Sequence, residues 1–263
     1  MGLDLMERVQ SYMFPFLLLS IAVYAGVLTL YDLILVQGRL LDILNYSKWR
    51  DPMFERAWKF IGPNAAKSEE DSPVPSLVHE AYGTVLELGP GTGEQLRRLD
   101  PSKIRRIYGI EPNHVLHPEL RARIAKAGLE NVYTIVPCGI EDRTELTKYG
   151  IESESIDTVL SIKVLCSVPE PERMTRNLYR LLKPGGQLLL SEHVRSKNML
   201  SRLIQEIYNI PWPHMLGNCH LNRPTDEYLM KAGDWDKVDF LNYQDEKDFV
   251  ILPHICGRLV KPR

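Results

Sequence analysis

Hydrophobic and polar positions are spread unevenly along this chain. From Val9 to Tyr31 no residue carries a formal charge, and the stretch MFPFLLLSIAVYAGVLTLY is dense in Leu, Ile, Val and aromatics. Asp32 interrupts, and LILV then carries the apolar run to Val36. That length matches the roughly 20 residues needed to cross a hydrocarbon core of about 30 Å. The pattern predicts an N-terminal hydrophobic helix acting as a membrane anchor over residues 1–38, with a buried core helix as the alternative reading. A cleaved signal peptide fits poorly, because the run is too long and no small-x-small site closes it. Arg39, Lys48, Arg50 and Arg56 follow the run, whereas Arg8 precedes it, a bias that puts the C-terminal body on the cytosolic side. The next segment, residues 39–75, contains YSKWRDPMFERAWKFIG, in which basic residues alternate with Trp49, Phe54, Trp58 and Phe60. This reads as an amphipathic helix that lies on headgroups or packs on the body. GPNAAKSEEDSPVPS reads as a linker, which leaves residues 76–263 as one globular domain.

Beyond residue 77 the period changes. TVLEL, IRRIYGI, VYTIV, IDTVLSI and QLLLSEH are short apolar runs that read as strands. Between them TGEQLRRLD, His117 to Ala127 and EPERMTRNLYRLL read as helices, and KPGG reads as a hairpin-like turn. Helices near Ser201–Ile210 and Thr225–Ala232 follow, then strands at Val238–Tyr243 and Ile255–Val260. Short buried strands alternating with helices predict a mostly parallel sheet covered on both faces, with ligands at the carboxyl ends of its strands.

Composition narrows the field. The net charge of −2 gives no basic surplus for a nucleic-acid backbone, so no nucleic-acid partner is expected. Cys138, Cys166, Cys219 and Cys256 are scattered with no CxxC pair, which suggests neither a disulfide framework nor a metal site.

The chemistry concentrates in TVLELGPGTGEQL. Its spacing is Gly89-x-Gly91-x-Gly93, not the G-x-G-x-x-G of a dinucleotide fold, yet glycines there let the backbone approach a ligand closely. Glu111 ends the next strand, where a carboxylate accepts the two hydroxyl hydrogens of a ribose. Together they predict a cradle for a ribonucleoside with an anionic group.

VLELGPGTG, YGIEPN, IDTVLSIKVLCSV and LLKPGGQLLLSEH resemble the successive motifs of class I methyltransferases that use S-adenosylmethionine. VLCSV, EHV and the C-terminal LPHICGRLVK are similar to the methyltransferase-like 7 group, membrane-associated thiol methyltransferases of the endoplasmic reticulum and lipid droplets. The resemblance implies a Rossmann-like α/β fold with a mostly parallel seven-stranded sheet after the N-terminal helix. It implies S-adenosylmethionine as cofactor, with Glu87, Gly89, Gly91 and Gly93 at its methionine end and Glu111 on the ribose. Gly139, Ile140 and Glu141 would sit beside adenine, and Ser161, Ile162 and Lys163 beneath the reacting bond, where Lys163 reads as a solvent-facing loop charge or, alternatively, as a catalytic residue. The expected function is transfer of the methyl group to a small lipophilic acceptor, a thiol by this resemblance. O- or N-methylation of a biosynthetic intermediate is the alternative, and a noncatalytic donor-binding scaffold tethered to the membrane is an alternative of another class. Glu192, His193 and His220 are the candidate bases. No metal ligand is expected, and the partners are the small molecule and a lipid bilayer or droplet surface.

Overall fold

A computed structural model describes residues 2–241 and 247–263. Helix α1, Gly2–Tyr31, runs without interruption through Pro15 and ends in a π-helical turn at Asp32–Val36. After a 3-10 turn, Asn45 caps α2, Tyr46–Ser68, its side chain accepting the Ser47 N–H. The segment read as a linker is therefore folded. Residues 62–68 continue α2, Ala66 and Glu69 are buried, and α3 occupies Val74–His79.

Then come β1 (Gly83–Leu88), β2 (Ile104–Ile110), α4 (His117–Lys126), β3 (Tyr133–Val136), α5 (Arg143–Lys148) and β4 (Ile156–Ile162). They are followed by α6 (Pro171–Leu181), β5 (Leu182–His193), α7 (Met199–Tyr208), α8 (Trp212–Met215), α9 (Thr225–Met230), β6 (Lys237–Leu241) and β7 (His254–Val260). The last two residues of the expected strand 238–243 lie outside the described residues.

The seven strands form one sheet in the order β3-β2-β1-β4-β5-β7-β6. Pairing is parallel from β3 through β5, and β7 inserts antiparallel between β5 and β6. β1, β4 and the second half of β5 are buried on both faces, which is why they read as continuous apolar runs, while β2 exposes Arg105 and Arg106 near its start. Leu86, Leu88, Val159 and Leu190 face one core with Met174 and Leu178 of α6, which are spaced i, i+4 on a single stripe. Val85, Ile107, Leu160 and Leu189 face the other, against Leu77 of α3 and Leu120 of α4. Chain order reverses between β1 and β4, so the crevice outside their carboxyl ends is the topological switch point of the sheet.

Two local expectations are corrected. TGEQLRRLD forms turns and a 3-10 segment at Leu96–Arg98, so no α-helix dipole stands behind Gly93. KPGG lies inside β5, where Gly185 takes φ +74° at an irregularity in the pairing with β4.

The N-terminal helix does not stand free. Ala22 is buried beside Trp212, Leu216 and Leu221, and Ala25 beside Met53 and Ala57 of α2. Its other face, including Phe16, Leu17, Val23, Tyr24 and Val27, is exposed. Helix α7 is inside out: Ser201 and Gln205 are fully buried and bond the carbonyls of Phe249 and Ile251, while Leu200, Leu203 and Ile207 face outward. Tyr208 donates to the Tyr12 carbonyl at 2.9 Å, joining α7 to α1.

Candidate active site

The end of β1 turns at Gly89 with φ +48°, and the Gly89 N–H donates to the Ile110 carbonyl at 2.9 Å. Gly91 takes φ +60°, a left-handed conformation that side chains resist, and a Cβ there would lie 2.6 Å from Trp58 Nε1. Both conditions favour glycine, and the space it leaves is taken by the Trp58 indole. Glu111, at the end of β2, turns its carboxylate into this bend: Oε2 accepts the Gly91 N–H at 3.0 Å and Oε1 accepts the Asn113 N–H at 2.9 Å. It is 5% exposed, and burial pushes its pKa up to about 7.

Glu87 sits on β1 just before the bend. Its Oε2 accepts the Tyr133 hydroxyl at 2.6 Å, while Oε1 is buried with no hydrogen-bond partner among the described residues. Burial lifts its pKa to about 7, against the opposing pull of the Tyr133 bond. An open buried carboxylate oxygen is costly unless a donor fills the place.

A cavity lies between this bend and α2, lined by Trp58, Glu69, Glu87, Pro90, Glu94 and Lys163. Trp58 roofs it, stacked on Phe54 with centroids 5.6 Å apart, and its indole N–H is buried without a partner among the described residues. Lys163, expected to face solvent, instead reaches back to buried Glu69, Nζ to Oε1 at 2.6 Å, while Arg98 binds the other oxygen at 2.6 Å. Burial alone would raise the Glu69 pKa, but these cations outweigh it and the net shift is downward.

Toward β5, Glu192 is fully buried and committed to the turn after β4, accepting Ser161 Oγ at 2.7 Å, the Val164 N–H at 2.9 Å and the Leu165 N–H at 3.1 Å. Those bonds occupy Ser161 as well. His193 Nε2 lies 3.2 Å from Cys219 Sγ, and Cys166 completes a cluster whose three ligand atoms lie within 4.8 Å of one another. Two of the four cysteines that look scattered in the sequence, Cys166 and Cys219, thus converge in space. His220 is half-buried and contacts Asn209 at 3.4 Å. Ile140 is buried in the core, 5% exposed, while Glu141 is exposed and folds over Gly139. The structure therefore gathers Glu87, the glycines and Glu111 at one crevice, and keeps His193 and His220 on a second side with the cysteines.

Sequence spacing missed Trp58, Glu69 and Tyr133. Trp58 and Glu69 come from a segment read as an amphipathic helix, on headgroups or on the body, followed by a linker, and Tyr133 is one apolar position of a strand among several.

A sheet of this order, with a glycine bend and an acidic second-strand end at its switch point, defines a class I S-adenosylmethionine-dependent methyltransferase, and the chain belongs to that family. A methyltransferase-domain family model matches residues 86–190. Thiol S-methyltransferase TMT1B of Rattus norvegicus is 30% identical over 190 residues, covering 68% of this chain and 70% of that protein. Thiol S-methyltransferase TMT1A of Homo sapiens is 28% identical over 217 residues, covering 82% and 79%. Among solved structures, an O-methyltransferase family protein of Burkholderia thailandensis aligns with a TM-score of 0.61 at 15% identity over 90% of this chain and 71% of that one, a likeness of fold. The protein is an enzyme that uses S-adenosylmethionine to methylate a small molecule.

Proposed function

We propose that the acceptor is a thiol on a small lipophilic molecule, methylated at a membrane surface. The relatives named as thiol S-methyltransferases support the thiol. The observation that carries the donor-site reading is the buried Glu87 Oε1 without a partner, beside the glycine bend and the Glu111 carboxylate that pins it.

In this reading Glu87 Oε1 accepts from the ammonium of the methionine end beside the bend at Gly89, Gly91 and Gly93, whose missing side chains make room for Val164, Trp58 and Leu96. Glu111 spends one lone-pair site on each backbone N–H and keeps others for ribose hydroxyls. Gly139, Ile140 and Glu141 serve the adenine end, with Ile140 contributing as a wall of the core. Bound there, the donor supplies an electrophilic methyl group on a sulfonium. Trp58 and α2 exclude water above it, and the Lys163–Glu69 pair fixes that roof to the turn after β4. Glu192 positions the same turn and has no free role as a base. A thiol of pKa about 8.5 needs little help to ionise, unlike a phenol near 10.

The outward faces of α1 and α7 give the membrane reading. A soluble helix buries its apolar stripe, and α7 does the reverse while touching an N-terminal helix long and apolar enough to cross a bilayer. Endoplasmic reticulum or lipid droplet, with the catalytic body on the cytosolic side, is the corresponding location.

The test is to incubate the full chain in detergent with isotopically labelled donor and a panel of alkyl thiols, phenols and amines, and to locate the label by mass spectrometry. S-methyl products are expected. Methylated phenols or amines with untouched thiols would replace the thiol reading by O- or N-methylation, and donor binding without any product would favour the scaffold.

A further inference from the structure

We propose that Cys166, His193 and Cys219 bind a soft divalent metal ion, zinc being the ion whose chemistry fits. The three residues come from distant parts of the chain: the turn after β4, the last residue of β5 and the loop between α8 and α9. Their ligand atoms nevertheless lie within 4.8 Å of one another, with His193 Nε2 and Cys219 Sγ at 3.2 Å. Zinc bonds of about 2.3 Å to sulfur and about 2.0 Å to nitrogen set tetrahedral ligand atoms roughly 3.5–4 Å apart. Shifts on the order of 1 Å complete the arrangement.

The backbone around the trio is held in place. The Cys166 carbonyl accepts the N–H of His220, the residue after Cys219, at 2.9 Å. Arg223 Nη1 donates to the carbonyls of Leu165 and Val168 at 2.8 and 2.6 Å, bracketing Cys166 from the same loop. Glu192 fixes the Val164 and Leu165 amides on the other side. Ser167 Oγ stands 3.5 Å from Cys166 Sγ, in position to donate to a thiolate.

Charge and softness select the ion. Cys166 is buried and Cys219 partly buried, so a pair of thiolates there needs a cation beside it. A divalent cation with two thiolates and a neutral imidazole sums to zero. Thiolate and imidazole donors without a carboxylate suit zinc rather than magnesium or calcium. Three protein ligands leave one tetrahedral position for water or a small thiolate.

The test uses untagged full chain purified in detergent. About one equivalent of zinc that survives dialysis is expected, and cobalt substitution should give thiolate-to-cobalt charge-transfer absorption. Cys166→Ser and Cys219→Ser should each weaken zinc retention by more than about 100-fold, beyond the usual cost of losing a supporting residue. Binding of S-adenosylhomocysteine reports whether each variant is folded. In the unaltered chain, a mercurial thiol reagent with a zinc indicator should release zinc in step with modification of these two cysteines. Zinc at background, zinc retained by the Cys166→Ser/Cys219→Ser double variant, or recovery of the two thiols as a disulfide from the native chain would each overturn the proposal.

Discussion

The floor of the cavity and its roof are built differently. The floor is backbone held by one buried carboxylate: a glycine bend at the end of β1, pinned by the Gly89–Ile110 backbone bond and by the Glu111 side chain on the Gly91 N–H, at the switch point of a buried parallel sheet. The roof is side chains: Trp58 stacked on Phe54, and Glu69 holding Lys163 and Arg98. A backbone site is fixed by the fold and tolerates few substitutions, whereas a side-chain roof can be retuned without disturbing the sheet. The donor should therefore depend steeply on the floor and more gently on the roof.

The largest expected effect tests the floor. Glu111→Ala removes a carboxylate that holds two backbone amides, and with charged hydrogen bonds contributing about 1.5–3 kcal/mol each, affinity for S-adenosylhomocysteine should fall by about 100-fold or more in calorimetry. Trp58→Phe should cost less, about 5- to 10-fold, because it removes one N–H and part of the indole but keeps an aromatic ring in the roof. Equal losses in the two variants would erase the distinction between floor and roof.

The pH dependence comes next. Glu87 and Glu111 both have pKa values raised to about 7 by burial, so the folded chain favours their neutral forms. Stability from this source is present below the ordinary carboxylate value of 4.5 and is lost as pH rises through about 7. Ligand binding runs the other way: the ionised forms attract a cationic donor, so affinity for S-adenosylmethionine should strengthen by up to about 10-fold per carboxylate from pH 6 to 8. Glu87→Gln should flatten that rise. The smallest effect concerns the outer surface, where Leu203→Glu with Ile207→Glu should reduce cosedimentation with lipid vesicles by a few-fold and leave donor affinity unchanged.

The same contrast explains what could be read from the sequence. The central strands were legible because both faces are buried, and the floor because glycine at a left-handed position and a carboxylate at a strand end leave residue-type signatures. Gly91 and Glu111 also meet in space, as their positions at neighbouring strand ends imply. The roof was not legible: Trp58 is one aromatic among several on an amphipathic helix, and Glu69 stands in an acidic, proline-rich stretch that has the composition of a linker. Lys163 looked like a loop charge because its partner lies 94 positions away. Cys166, His193 and Cys219 share no local spacing, and only the parallel crossover between β4 and β5 and the return of the α8–α9 loop bring them together.

Hydrogen–deuterium exchange of the full chain with and without S-adenosylhomocysteine tests most directly whether the ligand lies between floor and roof. Ligand should slow exchange together in residues 87–94, at Glu111 and along α2 from Phe54 to Ala66. Protection confined to other segments, or a glycine bend whose exchange does not respond to ligand, would contradict it.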